Sequence, residues 1–309
     1  MSDLLSSLGS GMSSASRLQI SNPPGNRGSK VDFLCGWGAG CVETCILFPS
    51  SKLIFRQQIH GVLVKDALHQ LRSEGLSMLY RGLLPPLIMR TSTRALMYGM
   101  FDQYQIQLNC PHSPPGTSFT LCHANAAFLA GVTEAVLCPL ERLQVLLQHS
   151  AFHDHFKNTK EAFTVVRSHG LPEFYRGISL ILIRNGLSNA CFFTLREPAK
   201  RTIVENISPH QAPSPVLNLF ADFVSGGLLG ATISTAFFPI NVVKNRMQSM
   251  IGTAFDSPLR VFHIVWQERN RSIRELYRGF LLNYCRSLVA WGITNSVYEL
   301  LKRSFEDSR

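Results

Sequence analysis

The chain has 309 residues, with 30 Lys and Arg against 20 Asp and Glu, a formal charge of +10. Only 16% of residues are charged and 45% are hydrophobic, whereas a soluble domain is about 25% charged. This excludes a disordered chain and argues against a charge-rich nucleic-acid module, and eight cysteines without a Cys-x-x-Cys pair argue against a disulfide scaffold or a zinc ribbon.

Residues 1–30 are rich in Ser and Gly and hold no apolar block of signal-peptide length, so they read as a flexible tail. Six stretches of low charge density follow, near 31–49, 83–101, 119–140, 178–195, 217–243 and 281–301. Each is long enough for a helix of roughly 20 residues that crosses a bilayer. None is free of charge: they contain Asp32 and Glu43, Arg90 and Arg94, Glu134, Arg184, Asp222, and Arg286 and Glu299. A charge at mid-bilayer costs about 2.5–3.5 kcal/mol on insertion scales, so such residues face a bundle interior or a water-filled cavity. The connections near 105–118 and 201–216 are short and proline-bearing. Those near 58–80, 149–175 and 249–277 are longer, basic and partly helical, with Ser257–Pro258 reading as a helix start. The positive-inside tendency puts the long connections on the electrically negative side and the termini on the other.

A threefold repeat runs through this pattern. Pro49, Pro139 and Pro239 lie near the ends of the odd stretches, and Gln58, Gln148 and Gln248 follow nine residues later. Each unit then carries Tyr-Arg-Gly, at Tyr80-Arg81-Gly82, Tyr175-Arg176-Gly177 and Tyr277-Arg278-Gly279. The expected architecture is an all-α membrane protein of six transmembrane helices. They form three pseudo-symmetric repeats, 31–110, 119–205 and 216–305, each with a short surface helix. Prolines inside helices remove a hydrogen bond and kink them, so three can converge to close one end of a cavity. Two readings stand for the tripeptide. Arg81, Gly82, Arg176, Gly177, Arg278 and Gly279 either hold an anionic lipid headgroup at free helix-start amides or make a turn with an interfacial aromatic anchor.

These residues resemble the mitochondrial carrier family over about 31–305, and the strings Phe55-Arg56-Gln57-Gln58, Arg184-Asn185-Gly186-Leu187-Ser188-Asn189 and Phe238-Pro239-Ile240-Asn241-Val242-Val243-Lys244 resemble its NAD-carrying branch. The resemblance implies a transporter, not an enzyme, with no catalytic residues and no cofactor. It implies the inner membrane, termini toward the intermembrane space, and import of NAD into the matrix by alternating access. Rival readings are a carrier of coenzyme A, thiamine pyrophosphate or an adenine nucleotide, or a transport-inactive adaptor. The implied partners are the dinucleotide and an anionic lipid such as cardiolipin, with the chain a monomer that binds no nucleic acid.

The family's matrix gate maps unevenly onto Ser51, Glu141, Gln144, Asn241 and Lys244, with Gln58, Gln148 and Gln248 beneath; Ile54 takes the remaining position, and only Glu141 and Lys244 are of opposite charge. The cytoplasmic gate maps onto Asp102, Gln105, Glu197, Lys200, Glu299 and Lys302. Substrate contacts of carriers lie two helical turns beyond the Tyr-Arg-Gly glycine, here at Met89 with the adjoining Arg90, at Arg184 with Asn185, and at Arg286. A rise of about 1.5 Å per residue puts them at one depth, and guanidinium forks suit a diphosphate. Glu134 either faces the cationic nicotinamide ring or pairs with Arg90 or Arg184 to set helix packing. Arg94 is a further contact or an entry charge. Cys35, Cys41 and Cys45 sit among small residues that favour helix packing, and His149, His153 and His155 read as a solvated loop, so no metal site is expected.

Overall fold

The computed structural model describes residues 28–75, 79–110, 121–152, 155–156, 158–207 and 215–307. Within the helices some side chains, those of Arg90, Arg94, Asp222, Glu299 and Lys302 among them, lie outside the described residues. So does the expected N-terminal tail as far as residue 27, and helix begins at Gly28, inside the range read as tail. All regular elements among the described residues are helical.

The first unit is α1 (Gly28–His60), α2 (Val64–Ser73) and α3 (Leu84–Gln107). The second is α4 (Leu121–Thr133), a 3-10 turn (Glu134–Leu137), α5 (Cys138–Gln148), α6 (Thr159–Ser168) and α7 (Ile178–Ile207). The third is α8 (Pro215–Ala236), α9 (Phe238–Gln248), α10 (Pro258–Glu268), the single turn α11 (Ile273–Leu276) and α12 (Phe280–Asp307). The three prolines are absorbed differently. Pro49 stays inside α1, Pro139 follows a 3-10 turn into the first turn of α5, and Pro239 follows a 60° bend between Phe223–Ala236 and Phe238–Gln248. All three are answers to the same lost backbone hydrogen bond.

Packing runs from α1 to α3, from α3 to α4 and α5, from α4 to α7, from α7 to α8, from α8 to α12, and from α12 back to α1. The long helices therefore close into a ring. Glycine allows the closest approach. A Cβ on Gly131 of α4 would lie 2.4 Å from the Asn185 carbonyl oxygen of α7, and one on Gly186 would lie 2.6 Å from the Phe128 ring. The short helices α2, α6 and α10 each bury one narrow stripe, Ala67 and Leu71, Ala162 and Val166, or Val261 and Val265, four residues apart in every case. Ser257 caps α10 by accepting from the Arg260 amide, with Pro258 in the first turn, as the sequence suggests. Two apolar clusters, around Val242, Val265 and Leu276 and around Leu146, Val166 and Phe174, seal this end of the ring. At the other end Phe101 and Phe193 stack at 4.2 Å between centroids.

Among the described residues, the runs Leu121–Gln148 and Leu171–Ile207 are long and apolar enough to cross a membrane, and Phe223–Ala236 with Phe238–Gln248 makes a third when the bent pair is counted as one span. Cys110 and Cys122 form a disulfide across the connection between α3 and α4, a pairing that the dilute cysteine content does not suggest.

Candidate functional site

A cavity of about 430 Å³ lies inside the ring. Its floor follows the repeat. Two residues after each proline come Ser51, Glu141 and Asn241, and five after come Ile54, Gln144 and Lys244; all six line the cavity. Gln58 and Gln148 line it as well. Lys244 donates from Nζ to Glu141 Oε1, an ion pair with little exposure on either side that joins α5 to α9 across the floor. The Asn245 amide donates to Gln58 Oε1 and ties α9 to α1. Gln248 is not among the lining residues: it is fully buried beneath Gly177, and its main-chain oxygen accepts from Arg142.

Higher up, the seven-residue offset places Met89, Arg184 and Arg286 on the same cavity, from three different helices. Arg184 Nη1 donates to the Asn185 carbonyl-type oxygen Oδ1 at 2.9 Å, while its buried Nε has no hydrogen-bond partner. The Arg90 and Arg94 side chains lie outside the described residues, so the expected third guanidinium is not placed. Two expected contact residues stand outside the cavity lining. Glu134 is buried and accepts from Asn189 Nδ2 at 2.7 Å, and it is not among the lining residues. It pins the 3-10 turn to α7, because the tighter turn ahead of Pro139 rotates it toward that helix. Asn185 does not line the cavity either. It orients Arg184, and its main chain packs on Gly131. Thr44 and Ser234, which the sequence reading passed over, do line the cavity. Both stand five residues before their proline, the position Glu134 occupies in its own repeat.

At the far end, Asp102 on α3 is exposed, and Gln105 and, on α7, Glu197 and Lys200 are half-buried. The Glu299 and Lys302 side chains lie outside the described residues.

Of the two readings of Tyr-Arg-Gly, the arginine side chains favour the structural one, because they turn inward onto another repeat. Arg81 donates to the Phe152 and Phe156 carbonyls of the second repeat. Arg176 donates to Thr253 and Ala254 of the third. Arg278 donates to the Gly61 carbonyl of the first. The segment that follows each of α1, α5 and α9 is thus held by an arginine of another repeat, whose guanidinium satisfies main-chain carbonyls there. Gly82, Gly177 and Gly279 take φ of 83°, 82° and 97°, a region that disfavours a Cβ. A Cβ on Gly82 would also lie 2.8 Å from Leu147 Cβ, whereas on Gly177 the nearest atom would be 3.5 Å away. Gly82→Ala should therefore destabilise the protein by about 2–4 kcal/mol and Gly177→Ala by about 1–2 kcal/mol. Thermal unfolding of the two variants side by side checks the order.

Further buried pairs stiffen this end. Arg142 pairs with Glu173 at 2.6 Å, Glu173 also holds Arg176 at 3.1 Å, and Arg56 pairs with Glu74. Burial pushes the Arg269 pKa down, and its guanidinium donates to the Gln57 and Gln58 carbonyls at the end of α1. No cluster among the described residues could hold a metal ion.

Among the described residues the arrangement is a chamber lined by two arginines, with one end closed by an ion pair. Its arginines suit a polyanion, and the Glu141–Lys244 pair closes the floor beneath it. The family model described as mitochondrial carrier protein matches residues 27–110, 116–207 and 215–309. The chain is 46% identical to the human mitochondrial nicotinamide adenine dinucleotide transporter SLC25A51 over 287 residues, covering 93% of this chain and 94% of that protein. It is 45% identical to the human mitochondrial nicotinamide adenine dinucleotide transporter SLC25A52, with the same coverage. It is 35% identical to human solute carrier family 25 member 53, covering 85% and 84%.

Proposed function

The chain belongs to the mitochondrial carrier family, and from that premise we propose that it moves NAD into the mitochondrial matrix by alternating access. The observation that carries this is one cavity joining Arg184 and Arg286 above the Glu141–Lys244 pair. Two guanidiniums at one depth match the two charges of a diphosphate bridge, and forked donors hold it by paired hydrogen bonds. In this reading the chain crosses the inner membrane six times, in repeats spanning 31–110, 119–205 and 216–305, with both termini in the intermembrane space.

In this reading the closed floor faces the matrix and the chamber is open toward the intermembrane space. Substrate enters, the arginines bind its diphosphate, and the floor opens toward the matrix. A ligand moves this equilibrium only by binding the two states unequally, so the arginines must grip more tightly as the ion pair parts. Asp102, Gln105, Glu197, Lys200, Glu299 and Lys302 then close the opposite end. With the arginines of Tyr-Arg-Gly occupied by carbonyls, an anionic lipid such as cardiolipin would be held by main-chain amides at the starts of α3, α7 and α12. A single copy contains the whole path, so the working unit is a monomer.

Thermal-shift measurements on the purified protein test the substrate. At equal concentration NAD should raise the midpoint most among NAD, coenzyme A, thiamine pyrophosphate and adenine nucleotides, because a ligand that binds only the folded state stabilises it by an amount that grows with the logarithm of its affinity. A larger shift with any of the others would replace NAD in this reading.

A further inference from the structure

A second, smaller cavity of about 150 Å³ adjoins the first at Arg286, which lines both. It lies between α1, α8 and α12, and its walls include Glu43, Gly230, Trp291 and Thr294. Glu43 is 1% exposed, and Thr294 Oγ1 donates to its Oε2 at 3.2 Å. The Trp291 indole is laid against a glycine face of α8. A Cβ on Gly226 would lie 2.9 Å from its Cη2, and one on Gly230 would lie 3.3 Å from its Nε1. Any larger residue at Gly226 would displace the ring, so the indole's position is set by the absence of side chains there.

This side pocket has a definite chemistry. A buried carboxylate and an indole that line one small cavity favour a cation there, since a ring face and an anion attract it alike. Arg286, which lines both cavities, is suited to an adjacent phosphate. The cavity is about a third the size of the main chamber, so it takes one end of a dinucleotide and not the whole. The two ends of NAD differ in the required property. The oxidised nicotinamide ring is cationic, and the adenine is neutral. Resting on the substrate reading above, we infer that the pocket of Glu43, Trp291 and Thr294 is the subsite for the cationic nicotinamide ring. The diphosphate then lies between Arg286 and Arg184, and the adenosine half lies in the main chamber. Glu43, and not Glu134, is the acid that distinguishes the oxidised ligand from the reduced one.

The test is calorimetric titration of the full-length protein in detergent with NAD, NADH and ADP-ribose. NADH keeps the ring but not its charge, and ADP-ribose lacks the ring. The wild-type protein should bind NAD about tenfold more tightly than NADH, the size of a desolvated cation–π contact with a carboxylate alongside. Glu43→Gln keeps the shape and removes the charge. It should bring NAD down to the NADH value while leaving NADH and ADP-ribose unchanged. Equal wild-type affinities for NAD and NADH overturn the subsite, and that comparison does not depend on how any variant folds. So does an equal loss for all three ligands in Glu43→Gln, which would mark Glu43 as a packing residue. Failure of the wild-type protein to bind any of the three overturns the dinucleotide reading and the subsite together.

Discussion

Liposomes carrying the Arg184→Ala variant should take up labelled NAD about a hundredfold more slowly than those carrying the wild-type protein, because a guanidinium removed from a phosphate deletes two charge-assisted hydrogen bonds of about 1.5 kcal/mol or more each. The side chain is prepared for that role. Asn185 fixes one Nη, and the buried Nε is left without a partner. Arg286→Ala should cost about as much, since its side chain lines both the main chamber and the smaller pocket. Arg184→Lys should recover only part of the loss, because an ammonium is a point charge without the planar fork. Initial rates of uptake at several NAD concentrations separate weaker binding from a slower cycle. A variant with wild-type rates would remove the residue from the substrate path.

The second large effect belongs to the floor. Glu141→Ala leaves Lys244 buried without its counter-charge, and breaking such a pair costs about 3–5 kcal/mol. That cost falls on the floor-closed state alone, so the variant should shift toward the state whose floor is open. In the thermal unfolding of the ligand-free protein the midpoint should drop by about 5 °C or more. Asn241→Ala alters the same ring position in the third repeat. The Asn241 side chain is half-buried and makes no ion pair among the described residues, so its midpoint should stay within about 1 °C. Exchanging the charges, Glu141→Lys with Lys244→Glu, should restore most of the loss. Equal small effects for Glu141→Ala and Asn241→Ala would show that the pair does not hold the floor.

Much of this was legible in the sequence, for a definite reason. Spacing along a helix fixes depth, and the repeat fixes which positions are equivalent. Counting from the prolines therefore found the floor residues, and counting seven from the glycines found Met89, Arg184 and Arg286. Rotation about a helix axis was not legible where the helix departs from ideal geometry. The 3-10 turn at Glu134–Leu137 carries Glu134 to Asn189, while Thr44, on an uninterrupted α1, faces the chamber. Partners in another repeat were equally hidden. The Tyr-Arg-Gly pattern marks three arginines but says nothing of the carbonyls at Gly61, Phe152 and Thr253 that receive them. Those acceptors are main-chain atoms and leave no trace in composition. Glu43 reads in the sequence only as one of several charges facing the bundle interior, because the repeat offers no matching acid: the equivalent positions, six before each proline, are Thr133 and Ile233. A site built on the departure from symmetry appears only once α1, α8 and α12 are seen together.

The most direct test of the central claim is uptake of labelled NAD by liposomes containing the purified protein, measured beside liposomes containing Arg184→Ala and liposomes without protein. Saturable uptake by the wild-type protein that falls to the protein-free level in the variant is the result predicted. Wild-type uptake no faster than that of empty liposomes, or uptake that the variant leaves intact, would contradict the claim that the two-arginine chamber carries a dinucleotide.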